Sequence, residues 1–252
     1  MRSRFRRMGR NPLMSRVQGT VTGAQSAAYQ ASYSGVVMKT TLLFALLGLS
    51  GLYTGYQLIT TGQIQGGIWT LIGSAIGAFI AVIIATMKPR LAPFFSVIYA
   101  LLEGVFLGAI SAIYTLQFGD MIVPTALVST GGVFMAMLLL YKSGVITVGP
   151  MFRRVMFTML VGVMITYLFM FIAGFFGFFE SALGMNIYLV IVIISAGLAA
   201  FFLLIDFDNI KNLVDAGADK QYEWVLSLSL VVTVVWLYIE LLKILAILSS
   251  ER

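Results

Sequence analysis

Four carboxylates and one threonine, all set in apolar surroundings, are the residues of this chain best placed to do chemistry. Glu103 stands in "YALLEGVFLG", Asp206 and Asp208 end the run "FFLLIDFDNIK", and Thr233 and Glu240 lie in "VVTVVWLYIELLKILA". The chain has no His and no Cys. That removes imidazole and thiolate metal sites, disulfides, and nucleophiles paired with His. Hard-oxygen chemistry remains: carboxylates and hydroxyls that coordinate a cation or hold a proton.

Spacing sorts these groups. Ser96, Tyr99 and Ser111 share a helical face with Glu103, which sits about 18 Å into its apolar run by helix rise. No Lys or Arg lies near the middle of a neighbouring run to hold its charge, so Glu103 is expected to face inward and be largely uncharged. Asp206 and Asp208 are about 200° apart on a helix and cannot face the same way. Asp206 shares its face with Asn209 and Ile210 and is expected to point inward. Asp208 lies beside Lys211 and Asn212 and is read as a solvated charge at a helix end. Glu240 and Lys243, three residues apart, read as a local ion pair.

The elements that carry these residues are long and greasy. Of 252 residues 60% are hydrophobic and only 10% charged, and mean hydropathy is +0.99, against about 25% charged in a soluble domain. Seven apolar runs of bilayer-spanning length occur, over 37–59, 67–87, 91–115, 121–141, 155–177, 185–207 and 224–248. Stretches such as "IGAFIAVIIA" do not alternate in polarity, which excludes a membrane barrel. The fold class is therefore all-α, a polytopic membrane protein of seven transmembrane helices with no second globular domain.

Packing signals run along these helices. Gly51 and Gly55, Gly73 and Gly77, and Gly104 and Gly108 form small-xxx-small pairs, and Ala81 and Ala85 extend the second series. In lipid such stripes let backbones approach. Met and Phe are read as core filling or lipid-facing.

Charge gives the orientation. Lys and Arg fall in every second connection: Arg2 to Arg16 with Lys39, then Lys88 and Arg90, then Lys142, Arg153 and Arg154, then Lys211 and Lys220. The connections around 60–66, Asp120 and Glu180 have none. By the positive-inside rule the N-terminus is cytoplasmic and the C-terminus lies on the opposite side. The net charge of +6 is mostly topology, and no nucleic-acid partner is expected. Residues 1–36, rich in Arg, Ser, Gln and Gly, read as a basic, disordered cytoplasmic tail that skims lipid, and 37–252 as the membrane domain. An organellar transit peptide shares that composition.

Several activities are set aside. Neither context of an intramembrane protease is present, nor a Gly-rich phosphate loop or zinc motif, and no enzyme activity is expected. A retinal protein also has seven spans, but Lys243 falls near the exit of its span rather than at the midplane.

The motifs together resemble one family. "LLIDFDNIKNL", "WVLSLSLVVTVVWLYIELLKILAILSS" and "YALLEGVFLG" are similar to the sixth, seventh and third helices of the transmembrane Bax inhibitor-1 motif family, in its bacterial type. The resemblance covers about 30–252. It implies a last helix central in the bundle, and a pH-sensitive leak of Ca²⁺ controlled by an aspartate pair on helices six and seven. Asp206 matches the first aspartate, while Thr233 stands where the second is expected. A carboxylate facing a hydroxyl cannot share a proton as two carboxylates do.

Asp206, Glu103, Thr233, Asn209, Tyr99 and Glu240 are thus the expected ion-pathway residues, with Asp206 and Glu103 as cation ligands. No cofactor is expected beyond Ca²⁺ as permeant ion. A proton-coupled transporter, with H⁺ in place of Ca²⁺, and a non-transporting scaffold for other membrane proteins are the alternatives. The expected setting is the lipid of the cell membrane, with an organellar membrane as the other option. The expected assembly is a monomer or small homo-oligomer.

Overall fold

A computed structural model describes residues 29–62, 68–177 and 182–250. They form seven long helices: α1 (Tyr33–Thr61), α2 (Ile68–Met87), α3 (Ala92–Phe118), α4 (Ile122–Ser143), α5 (Pro150–Gly174), α6 (Ala182–Asp215) and α7 (Tyr222–Ser250). All seven are long and apolar enough to cross a membrane. Residues 1–28 of the expected tail and Glu180 lie outside the described residues.

Helix ends follow local chemistry. The Ser32 hydroxyl accepts from Gly35 N at 3.1 Å and caps α1, so the helix starts four residues before the expected 37. Gly62 (φ 66°) and Gly144 (φ 71°) end α1 and α4 in the left-handed region, which glycine enters without a side-chain clash. Two further boundaries decide where polar side chains meet. Pro150 opens α5 five residues before the expected 155, which puts Arg153 on the helix. Helix α6 runs on to Asp215, eight residues past the expected end, because Asp208, Asn209 and Asn212 make side-chain contacts there.

The last helix is central. Of its apolar stretch 56% is buried, against 17% for α4 and α5. It packs on α1, α3, α4 and α6, more lightly on α2, and reaches α5 through side chains. The core is a continuous layer of Leu43, Tyr99, Leu107, Leu228, Val231, Val235 and Leu242, with a second patch of Leu203, Phe207, Leu230 and Leu237 on the α6 side.

Helices α1 and α3 run parallel in close contact. A Cβ on Gly51 would sit 3.1 Å from the Gly104 carbonyl, and one on Gly55 3.2 Å from that of Gly108. Side chains on Gly104 or Gly108 would collide with Ser50 and with the Gly51 backbone. Only hydrogen fits there. Gly77 lies against Leu102, but Gly73 has nothing within 4 Å. On α2 the buried stripe is instead Ser74, Ala78, Ala81 and Ala85. Gly73 faces outward because its helix is turned by the alanines.

Candidate functional site

The helices bring the polar groups into four clusters, most of them on α7. At the α6–α7 seam, Asp206 is buried. The Ser229 hydroxyl donates to its Oδ1 at 2.6 Å and the Thr233 hydroxyl to its Oδ2 at 2.6 Å. Thr233 has a second acceptor, the Ser229 carbonyl at 3.1 Å. Both donors come from one face of α7 because Ser229 and Thr233 are four residues apart. No salt bridge among the described residues involves Asp206.

Asp208 differs from the sequence expectation. Arg153 Nη2 of α5 donates to its Oδ2 at 2.6 Å, Tyr141 of α4 to its Oδ1 at 3.2 Å, and Asn212 to its Oδ2 at 2.9 Å. The carboxylate is a three-helix clasp and not a free helix-end charge. Asn209 belongs to it as well: Arg153 Nη1 donates to Asn209 Oδ1 at 2.8 Å, so Asn209 faces α5 rather than Asp206. The early start of α5 is the cause. It carries Arg153 alongside α6, where a planar guanidinium reaches two acceptors at once.

Glu240 has a cluster of its own. Tyr167 of α5 donates to Oε2 at 2.9 Å and Lys243 to Oε2 at 3.1 Å. Ser195 of α6 donates to Oε1 at 3.0 Å and Trp236 to Oε1 at 3.2 Å. Seven residues separate Thr233 from Glu240, about 10 Å of rise, so Glu240 is not a partner of Asp206.

The fourth cluster joins the two chain-end helices. Glu223, fully buried at the start of α7, pairs with Lys39 and accepts from Ser32 N at 2.8 Å and Ser32 Oγ at 3.0 Å. Lys39 also lies 5.5 Å from the Trp224 ring centre. Tyr29 and Ala31 bridge to Lys220 and Ala218 in the α6–α7 turn, through Lys220 N to Tyr29 O (2.9 Å) and Ala31 N to Ala218 O (2.7 Å). Lys39, counted in sequence among the basic loop charges, is therefore a buried ion-pair partner.

The α3 stripe is only partly assembled. Tyr99 and Ser96 are buried, Ser111 and Tyr238 share a hydrogen bond of 2.7 Å, and Glu103 is half-buried. Helices α3 and α6 do not approach each other, and α7 packs against both. Glu103 and Asp206 are thus not brought together.

Ser229, Ser195, Tyr167 and Glu223 escaped the sequence reading, and Arg153 was read only as a loop charge. Ser229 carried a signal, since it lies one turn from Thr233 on the same face. The others face their partners only through tertiary packing.

Seven apolar helices, the last of them central, with carboxylates inside, define a multi-pass integral membrane protein. The chain belongs to the Bax inhibitor 1 like family, whose model matches residues 11–250. No curated protein matches the chain.

Proposed function

We propose that the protein passes cations, Ca²⁺ first, along the α6–α7 seam, with Asp206 as the gate residue and no catalytic role. The observation that carries this reading is a buried carboxylate held by two hydroxyls, with no salt bridge to it among the described residues. Such a group is costly in a membrane bundle and is retained for function. With Asp206 ionised, both hydroxyls donate to it and the seam is closed. An arriving cation, or a proton on Asp206, competes for the same oxygens, and Thr233 can turn to the Ser229 carbonyl. The family resemblance supports Ca²⁺ as the ion.

Proton-coupled transport is the second reading. Asp206 sits among neutral donors and Glu240 among neutral donors with one lysine, while Ca²⁺ takes 6–8 oxygens. Liposomes holding purified protein and dyes for Ca²⁺, K⁺ and H⁺ test both. Asp206→Asn should change flux strongly, and Asp120→Asn, an exposed loop control, should not. A folded Asp206→Asn protein with wild-type flux would end the gate assignment, and no flux of any ion from wild type would favour a scaffold.

We place the N-terminus in the cytoplasm of a cell membrane. Support comes from residues 29–31, which lie against the α6–α7 turn that carries Lys220. In this Cys-free chain, single cysteines at Gly62 and Asp120 should react with an impermeant reagent from outside, and ones at Arg90 and Ala216 should not. Labelling of Ser250→Cys from the cytoplasm would overturn the far-side C-terminus.

A further inference from the structure

We propose that the Lys243 ammonium is a tethered cation filling a site that Glu240, Tyr167 and Ser195 would otherwise offer to an inorganic cation. The carboxylate is 2% exposed and turned into the α5–α6–α7 junction. Its oxygens are ringed by hard-oxygen groups, the Tyr167 hydroxyl at 2.9 Å and the Ser195 hydroxyl at 3.0 Å, with Trp236 Nε1 donating to both Oε1 and Ser195 Oγ at 3.2 Å. Lys243 enters from one side. Its Nζ is 3.1 Å from Oε2 and 4.8 Å from the centre of the Tyr167 ring, so one tyrosine offers its hydroxyl to the carboxylate and its π face to the ammonium.

A lysine near a helix end in lipid usually extends toward the headgroups. Lys243 instead turns back to Glu240. An exposed pair at this spacing contributes little, but here one partner is buried and the ammonium neutralises it. A carboxylate, two hydroxyls and a ring face are also what a partly dehydrated Na⁺, K⁺ or Ca²⁺ would use. The tether keeps the ammonium at an effective concentration of mM or more, on the order of that from a short linker, so dissolved cations compete poorly.

The occupancy stands on this geometry alone. Its consequence, a second barrier about 10 Å from Asp206 along α7, rests on the cation conduction proposed for the α6–α7 seam.

The test uses Lys243→Cys in the full chain. The chain has no other cysteine, and the Lys243 side chain is 20% exposed, so a thiol there is unique and reachable. Thermal unfolding is compared in N-methylglucamine, Na⁺, K⁺ and Ca²⁺ chlorides. The cysteine protein should gain a midpoint rise of roughly 2–4 °C in at least one inorganic cation, absent from wild type. Aminoethyl methanethiosulfonate, which restores an ammonium, should abolish that rise. The neutral methyl reagent should leave it, and adding Glu240→Gln should remove it. A folded cysteine protein with no cation dependence, or equal responses to the two reagents, would overturn the proposal. If the cysteine chain does not fold, Lys243→Gln keeps a donor to Glu240 without charge and is read by the same cation series.

A parallel Ca²⁺ and K⁺ flux assay separates the two readings. A cation-dependent midpoint without flux from any protein retains the tethered cation and discards conduction. Flux from wild type without a cation-dependent midpoint does the reverse.

Discussion

Thr233 Oγ1 lies 2.6 Å from Asp206 Oδ2 and 3.1 Å from the Ser229 carbonyl, so one hydroxyl on α7 has two acceptors on opposite sides of the seam. Thr233→Val keeps the shape and removes the donor. It should destabilise the protein by about 1–3 kcal/mol, the penalty of a buried acceptor left unpaired. Thermal unfolding in detergent measures this, and the same variant should open the seam in a flux assay.

Thr233→Asp should add a pH step to flux, because two facing carboxylates titrate as a coupled pair. Flux recorded from pH 5 to pH 9 would show the step only in the variant if wild type lacks a pair. Identical pH profiles would mean that position 233 does not face the gate during conduction.

Arg153 holds Asp208 and Asn209 together with a single planar group. Arg153→Lys should therefore behave nearly as badly as Arg153→Ala, losing about 1.5–3 kcal/mol, since a lysine cannot serve both acceptors. Comparable unfolding midpoints for wild type and Arg153→Lys would show that charge alone suffices. The clasp also means that Asp208→Asn is a stability variant and not a silent surface control.

Lys39 and Glu223 form a buried pair between α1 and α7. Removing one partner, as in Lys39→Met, should cost about 3–5 kcal/mol, while Lys39→Met with Glu223→Gln should recover much of that. A double-mutant cycle in thermal unfolding gives the coupling. Additive losses would mean that the two charges act independently.

Gly108→Ala should separate α1 from α3, since its Cβ would meet the Gly51 backbone, which cannot move aside alone. A loss of about 1–3 kcal/mol is expected. Gly73→Ala, with open space around it, should be neutral or slightly stabilising through helix propensity. Equal unfolding midpoints for the two variants would mean that the close approach is not needed.

Helix number and most helix positions were legible in the sequence because lipid demands long apolar runs whose backbone bonds are satisfied internally. That demand is local, and it shows in composition. The inward register of Asp206 and its distance from Glu240 were legible too, since helical rotation is fixed at about 100° per residue. The glycine pairs announced close contact, but Gly73 and Gly51 look alike in a one-dimensional pattern.

Tertiary structure decided the partners. Whether Asp208 meets water or Arg153 depends on where α5 begins and how it lies on α6, and both follow from packing distant in sequence. Lys39 and Glu223 are 184 residues apart, and only the docking of α1 on α7 pairs them. Glu240 keeps a sequence neighbour in Lys243, yet its Ser195 and Tyr167 donors come from two other helices. Burial along a helix is written in the chain. Which helix supplies the matching donor is set by the three-dimensional arrangement that satisfies all buried polar groups at once.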